Sequence, residues 1–321
     1  MLILRMSIRK TVGWVLVLVV TGLAMTACGS SSPAPAKPSV PTTTAKPGQA
    51  NAAQPTAVPQ GPAAIVNGQE IPMAMYAREV ELRKAGLTQR GTNVNTPQGQ
   101  AELAQEKQLA LDGMIDDMLI AQEAAKQGVA VTDAEVDAAL QEIIKQIGSQ
   151  AAFEQLLQKS GQTLADARTL QRTQMLNNKM RDRVVGTIQT AEQIHARHIL
   201  VDSQATAQAL LAQIQAGADF GQVAQQSSRD TLTKANGGDL GWFARGTLVS
   251  KELEDAAFAL QPGQISNVVQ SAFGYHIVQV LERDPARKLE GEQLLKVQQQ
   301  AMENWLNGLR AQAKVQRLAG Q

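Results

Sequence analysis

Cysteine is almost absent: the 321 residues include one, Cys28, which excludes a disulfide scaffold. Aromatic residues make up 3% of the chain, too few for base-stacking platforms or aromatic cages. Neither sign of charge prevails, because 30 Lys and Arg stand against 29 Asp and Glu, a formal net charge of +1. Nucleic-acid binding needs a basic surface, so no nucleic-acid partner is expected. A long hydrophobic run is missing too, since Val12–Ala24 falls short of the about 20 residues a membrane span needs. What is present is enough chain for one large or two modest domains with a real core.

Arg5, Arg9 and Lys10 precede the apolar run, and Leu23-Ala24-Met25-Thr26-Ala27-Cys28 closes it. A positive start, an apolar core and small residues before a cysteine resemble a bacterial lipoprotein signal. The resemblance implies that residues 1–27 are removed and that a lipid is placed on the Cys28 sulfur. An ordinary secretory peptide cut nearby and an uncleaved anchor are the alternatives. Loss of residues 1–27 takes the net charge from +1 to about −2. It leaves no thiol beyond Cys28, which suits an oxidising space outside the cytoplasm. The expected location is extracytoplasmic, on the outer face of a bacterial membrane.

Residues 29–62 hold eight of the twelve prolines, at positions 33, 35, 38, 41, 47, 55, 59 and 62. A stretch with no apolar period cannot bury a core. Extended as polyproline it reaches about 100 Å, at ~3.1 Å per residue, enough to hold a domain clear of lipid headgroups. Residues 28–62 therefore read as the lipidated cysteine and a stalk.

From Ala63 the pattern changes. Ile65–Ile71 predicts a short strand and a turn at Asn67-Gly68, and Pro72 is placed to open a helix. Thr96-Pro97 begins a long helix in which Leu111, Met114, Ile115, Met118 and Leu119 share one face, ended by Gly128. Thr132 with Glu135 makes a capping box ahead of Val136, Leu140, Ile143, Ile144 and Ile147. Ser149 and Thr163 open further helices, the last running to about Thr187. Residues 63–189 are expected to be mostly helical.

The composition turns again near Ala191. The three histidines (His195, His198, His276) and four of the five phenylalanines (Phe220, Phe243, Phe258, Phe273) fall between 191 and 284. Ile194–Val201 reads as a strand, Ser203–Ala216 as a helix closed by Gly217, and Asp219–Gln226 as a short helix. Gly237–Phe243 is a glycine-rich turn into a strand, and Ser250–Phe258 is helical. Ile265–Val269 and Tyr275–Leu281 are strands around a turn at Phe273-Gly274. Residues 190–284 thus form a compact α+β domain. Beyond Pro285 a helix to about Leu318 carries Leu295, Met302, Trp305, Leu306 and Leu309 as an apolar stripe. One helix cannot hide such a stripe alone, so residues 285–321 are expected to pack back on the 63–189 helices. The central domain is then an insertion into a discontinuous helical one.

Five ordered motifs in the central segment carry a resemblance. They are Ala196–Val201, Gly217–Phe220, Gly237–Phe243, Glu254–Phe258 and Phe273–Val278. Together they are similar to the parvulin-type peptidyl-prolyl isomerases. The whole layout resembles the extracytoplasmic foldase lipoproteins of the PrsA and SurA kind. The resemblance implies a four-stranded antiparallel sheet with surrounding helices, inserted in a mostly α-helical chaperone-like domain. It implies isomerisation of X–Pro bonds, with unfolded or newly exported polypeptides as partners and no cofactor. The family's paired histidines fall on His198 and His276, and its Cys-or-Asp position on Asp230. Its proline-pocket positions fall on Leu240, Leu248, Leu253 and Phe273. Leu248 and Leu253 stand where Met and Phe are usual, with one extra residue between them, which implies a slacker pocket.

Plainer readings stand beside these. The histidines can be a core network with no catalytic share, and Asp230 a loop cap. Asp239 is read as structural. His195 and His198 make H-x-x-H, but neighbouring odd and even positions of a strand face opposite ways, so no metal site is expected. Ser227-Ser228 lacks a nucleophile elbow, and no basic cluster follows His198, so neither a hydrolase nor phosphate-directed substrate choice is read here. Methionines 73, 75, 114, 118, 175, 180 and 302 either fill gaps in a helical core or line a crevice for many sequences. The expected activity is that of a membrane-tethered isomerase and foldase. A non-catalytic holdase with a degenerate parvulin domain and an envelope-assembly adaptor are the alternatives. A homodimer is left open.

Overall fold

The computed structural model describes residues 61–319, so the signal, Cys28 and nearly all of the stalk lie outside the described residues. The chain divides into two compact units. One takes the chain through Ala121, Ala130–Leu176 and the residues from Lys314 on; the other takes Gln122–Val129 and Asn177–Ala313. Among the described residues no helix is long and apolar enough to cross a membrane.

The first unit opens with a hairpin, β1 (Pro62–Val66) and β2 (Gln69–Pro72). Its two turn residues, Asn67 and Gly68, have φ of 52° and 85°, the left-handed pair a tight hairpin turn needs. β7 (Val315–Arg317) pairs antiparallel with the free edge of β1, giving the order β2-β1-β7. Asn67 closes this junction: its N–H donates to the Lys314 carbonyl, and its Oδ1 accepts from the Lys314 N–H at 2.8 Å.

The helices are α1 (Met73–Gln89), α2 (Pro97–Lys126), α3 (Asp133–Ile147), α4 (Gln150–Lys159) and α5 (Leu164–Val185). The Thr132–Glu135 capping box starts α3, and the Ser149 hydroxyl accepts from the Ala152 N–H at the start of α4. Thr163 and Asp166 cap α5 reciprocally. Each such cap contributes about 1 kcal/mol. Val136, Leu140 and Ile144 then meet Phe153, Leu157 and Ala167 in one buried cluster, with Met175 packed against it. Met180 is wholly buried, which favours gap-filling over a surface crevice at that position.

In the second unit β3 (Thr190–Val201), β4 (Asp239–Ala244), β5 (Val269–Ser271) and β6 (Gly274–Lys288) form an antiparallel sheet of order β4-β3-β6-β5. The helices α6 (Gln204–Gln215), α7 (Phe220–Ser227), α8 (Lys251–Phe258) and α9 (Gly291–Gln312) complete it. The fold is α+β, as the motifs imply. Alternation divides the core into two clusters. Ile199, Val201 and Ile277 pack with Leu210, Ile214 and Phe220, whereas Ala196, Val278 and Val280 pack with Phe243, Leu253 and Phe258. His198 and His276 share the alternation of the second set.

Three expectations need correction. Only Val269–Ser271 is a strand in the region read as Ile265–Val269, and Ile265 makes an isolated bridge to Gln279. Pro285 does not end the sheet: β6 runs on to Lys288, and the proline falls where the β3 register shifts between Ala191 and Gln193. A residue without an N–H is tolerated at such an irregularity. The final helix accordingly starts at Gly291 and stops at Gln312, with β7 after it. That helix, expected to pack on the 63–189 helices, sends Gln298 to the carbonyls of Val185 and Ile188. It also sends Gln293 and Lys296 to those of Trp242 and Thr247. Its stripe is only half-buried, and Leu295 is exposed.

Candidate active site

β3 and β6 bring His198 and His276 together. Their Nδ1 atoms lie 3.3 Å apart and the rings stack with centroids 5.5 Å apart. The loop after α7 delivers Asp230, whose Oδ2 lies 2.7 Å from His198 Nε2. On the other side Ser271 Oγ lies 2.7 Å from His276 Nε2. Both histidines are buried.

The bonding roles follow from chemistry. A carboxylate only accepts, so His198 donates from Nε2 to Asp230. The two Nδ1 atoms share one proton, and the Ser271 hydroxyl, which can donate or accept, meets His276 Nε2. The result is one hydrogen-bonded relay running from Ser271 through His276 and His198 to Asp230.

The surroundings bear on Asp230 and His276. Burial pushes the Asp230 carboxyl up, but the Thr233 hydroxyl, His198 and the Leu232 N–H outweigh it and hold it below the usual carboxylate value. Burial, with His198 second, pushes His276 down from 6.5 to about 4. The Ser228 hydroxyl, itself buried, accepts from the N–H groups of Leu200 and Asp230 and ties the loop to β3.

His276 therefore makes the fold acid-sensitive. Its folded value lies below its unfolded one, so the unfolded chain takes up a proton first and stability falls as pH drops from 6.5 towards 4. With relaxation and screening allowed for, the expected loss is about 2 kcal/mol. Urea unfolding followed at β6 amides, at pH 7.5 and 4.5, checks this. The pH dependence should flatten in His276→Gln, and an unchanged slope would assign the effect elsewhere.

Leu253 is 4% exposed, inside the Phe243–Phe258 cluster, and Leu240 and Leu248 are half-buried against that cluster. Phe273 is 51% exposed on the β5–β6 turn. Asp239 accepts from His195 and from the Gly241 N–H, away from the relay. A cavity of about 260 Å³ lies between Gly246–Val249 and the Lys296, Gln299, Gln300 and Glu303 side chains of α9, and no relay residue lines it. Sequence reasoning missed Ser271 and Thr233, and it placed Glu254 in a motif without giving it a role. Thr233 stands three residues after Asp230, a spacing at which hydroxyls cap loops, whereas Ser271 has no local signal at all.

Residues 179–284 match the family model of the PPIC-type PPIase domain, and residues 6–181 that of the SurA-like N-terminal domain. The class is thus a peptidyl-prolyl isomerase of the PPIC type. Foldase protein PrsA of Caldanaerobacter subterraneus subsp. tengcongensis is 33% identical over 220 residues, 67% of this chain and 71% of the relative. Foldase protein PrsA of Geobacillus sp. (strain WCH70) is 32% identical over 195 residues, 59% of this chain and 69% of the relative. The crystal structure of the PrsA peptidylprolyl isomerase from Bacillus anthracis aligns at 30% identity and TM-score 0.37, covering 62% of this chain and 88% of that one. This chain belongs to the PrsA foldase family.

Proposed function

We propose that the chain catalyses cis/trans isomerisation of X–Pro bonds in unfolded, newly exported polypeptides at the outer face of a bacterial membrane. A lipid on Cys28 and the stalk of residues 28–62 hold it there. The helical part, residues 63–189 with 285–321, retains the client while residues 190–284 act on it. Rotation about X–Pro crosses a barrier of about 18–20 kcal/mol because the planar amide must lose its resonance. That resonance places negative charge on the carbonyl oxygen. An ionised Asp230 beside it disfavours the planar form. Leu240, Leu248, Leu253 and Phe273 grip the proline ring. The observation that carries this reading is the unbroken relay with Asp230 at its end.

A second reading, a holdase, draws on Leu253, which is too buried to offer much open pocket wall. Exchange NMR of a short X–Pro peptide with the full chain separates the two. Catalysis is expected, with losses of at least about tenfold in folded Asp230→Ala, His198→Ala and His276→Ala, or about 1.4 kcal/mol of barrier each. No catalysis by the folded wild type leaves the holdase.

A further inference from the structure

The two ends of the relay each hold a loop that presents a large apolar side chain to solvent. At one end Asp230 Oδ1 accepts from the Leu232 N–H at 3.1 Å, and Leu232 is 88% exposed. At the other, Ser271 Oγ accepts from the Phe273 N–H at 3.0 Å, and Phe273 is 51% exposed. Single exposed leucines are ordinary on mobile loops. This loop is pinned, however. Arg229 N–H donates to the Leu200 carbonyl at 2.8 Å, Lys234 N–H to the Asp230 carbonyl at 2.9 Å, and Thr233 Oγ1 to Asp230 Oδ2 at 2.6 Å. A loop whose backbone is held in place has already given up the backbone entropy that binding would cost it.

We propose that Leu232 is a specificity-determining contact, which together with Phe273 selects X–Pro segments flanked by large apolar residues. The proposal rests on the isomerase reading, because the relay between the two side chains is what places them beside the rotating bond. Such a contact buries only on the client, so it favours segments that are exposed in an unfolded chain and hidden in a folded one.

The test uses the full chain and three peptides of one frame, with Leu-Pro-Leu, Ala-Pro-Ala or Glu-Pro-Glu at the centre. Binding is read by NMR titration and turnover by exchange spectroscopy, for wild type and Leu232→Ser. The expected result is a preference of about tenfold for the leucine peptide, equal to about 1.4 kcal/mol, that Leu232→Ser removes while leaving the other two peptides unchanged. Equal binding of all three peptides by the wild type overturns the proposal. So does a leucine preference that survives in Leu232→Ser, or a loss shared by every peptide. A wild type that binds with this preference but does not turn over sinks the isomerase reading and leaves the contact standing.

Discussion

Gly238→Ala is expected to cost about 4 kcal/mol and to abolish X–Pro turnover in whatever remains folded. Gly238 has φ of 83°, where a Cβ is strained by itself. The larger problem is space, since an added Cβ would sit 2.0 Å from the His198 carbonyl oxygen. Both partners in that clash are backbone, so no rotamer relieves it. The same strands are tied there by His198 N–H donating to the Gly238 carbonyl at 2.8 Å. Relief therefore means separating β3 from the glycine turn and moving His198 away from Asp230. Gly241 is the control: it also has positive φ, at 69°, but an added Cβ meets nothing within 4 Å. Gly241→Ala should cost only about 1–2 kcal/mol and keep activity. Urea midpoints of the two variants, with exchange NMR on the same samples, decide the matter; equal losses would show that backbone strain alone matters at this turn.

Glu254→Ala is expected to lower stability by about 3 kcal/mol and to raise the KM for X–Pro peptides. Glu254 is buried, and its carboxylate accepts three successive backbone N–H groups: Gly246 at 2.8 Å, Thr247 at 3.2 Å and Leu248 at 3.2 Å. These fold the loop before α8 back over that helix. The loop carries Leu248, and the carboxylate is the group that gathers it. Removing it strands the Gly246 and Leu248 donors in a partly buried turn and leaves Thr247 N–H with only its long bond to the Ala244 carbonyl at 3.3 Å, at about 1 kcal/mol for each Glu254 bond lost. Glu254→Gln keeps one acceptor oxygen and should lie between wild type and Ala in both stability and KM. A KM unchanged in a measurably destabilised Glu254→Ala would mean that Leu248 does not touch the substrate.

Helix starts were readable because their signals are local. Thr132 with Glu135, Ser149, Ser203, Asp219 and Ser250 all cap the helices expected of them. A cap and the N–H it serves are three residues apart, so the sequence contains both parties. Strand limits were less readable. Pro285 looked like an end of structure, yet the register shift opposite it lies almost a hundred residues earlier in the chain. β7 looked like the last turn of a helix, and it is a strand only because β1, at the other end of the described chain, has a free edge.

His198, Asp230 and His276 could be named from the family resemblance that the motifs carry, and with them the class of chemistry. Composition and periodicity likewise decided the α+β character of residues 190–284 and the helical character of residues 63–189. The tertiary structure alone decided what those residues are to one another. Ser271 joins the histidines through a hairpin, and Glu254 captures a loop by three N–H groups. One hydrogen-bonded line then runs from Ser271 to the Asp230 carboxylate. Contacts of that kind depend on which strands pair and in what register. Pairing is settled by the burial of whole faces rather than by any residue's neighbours in sequence.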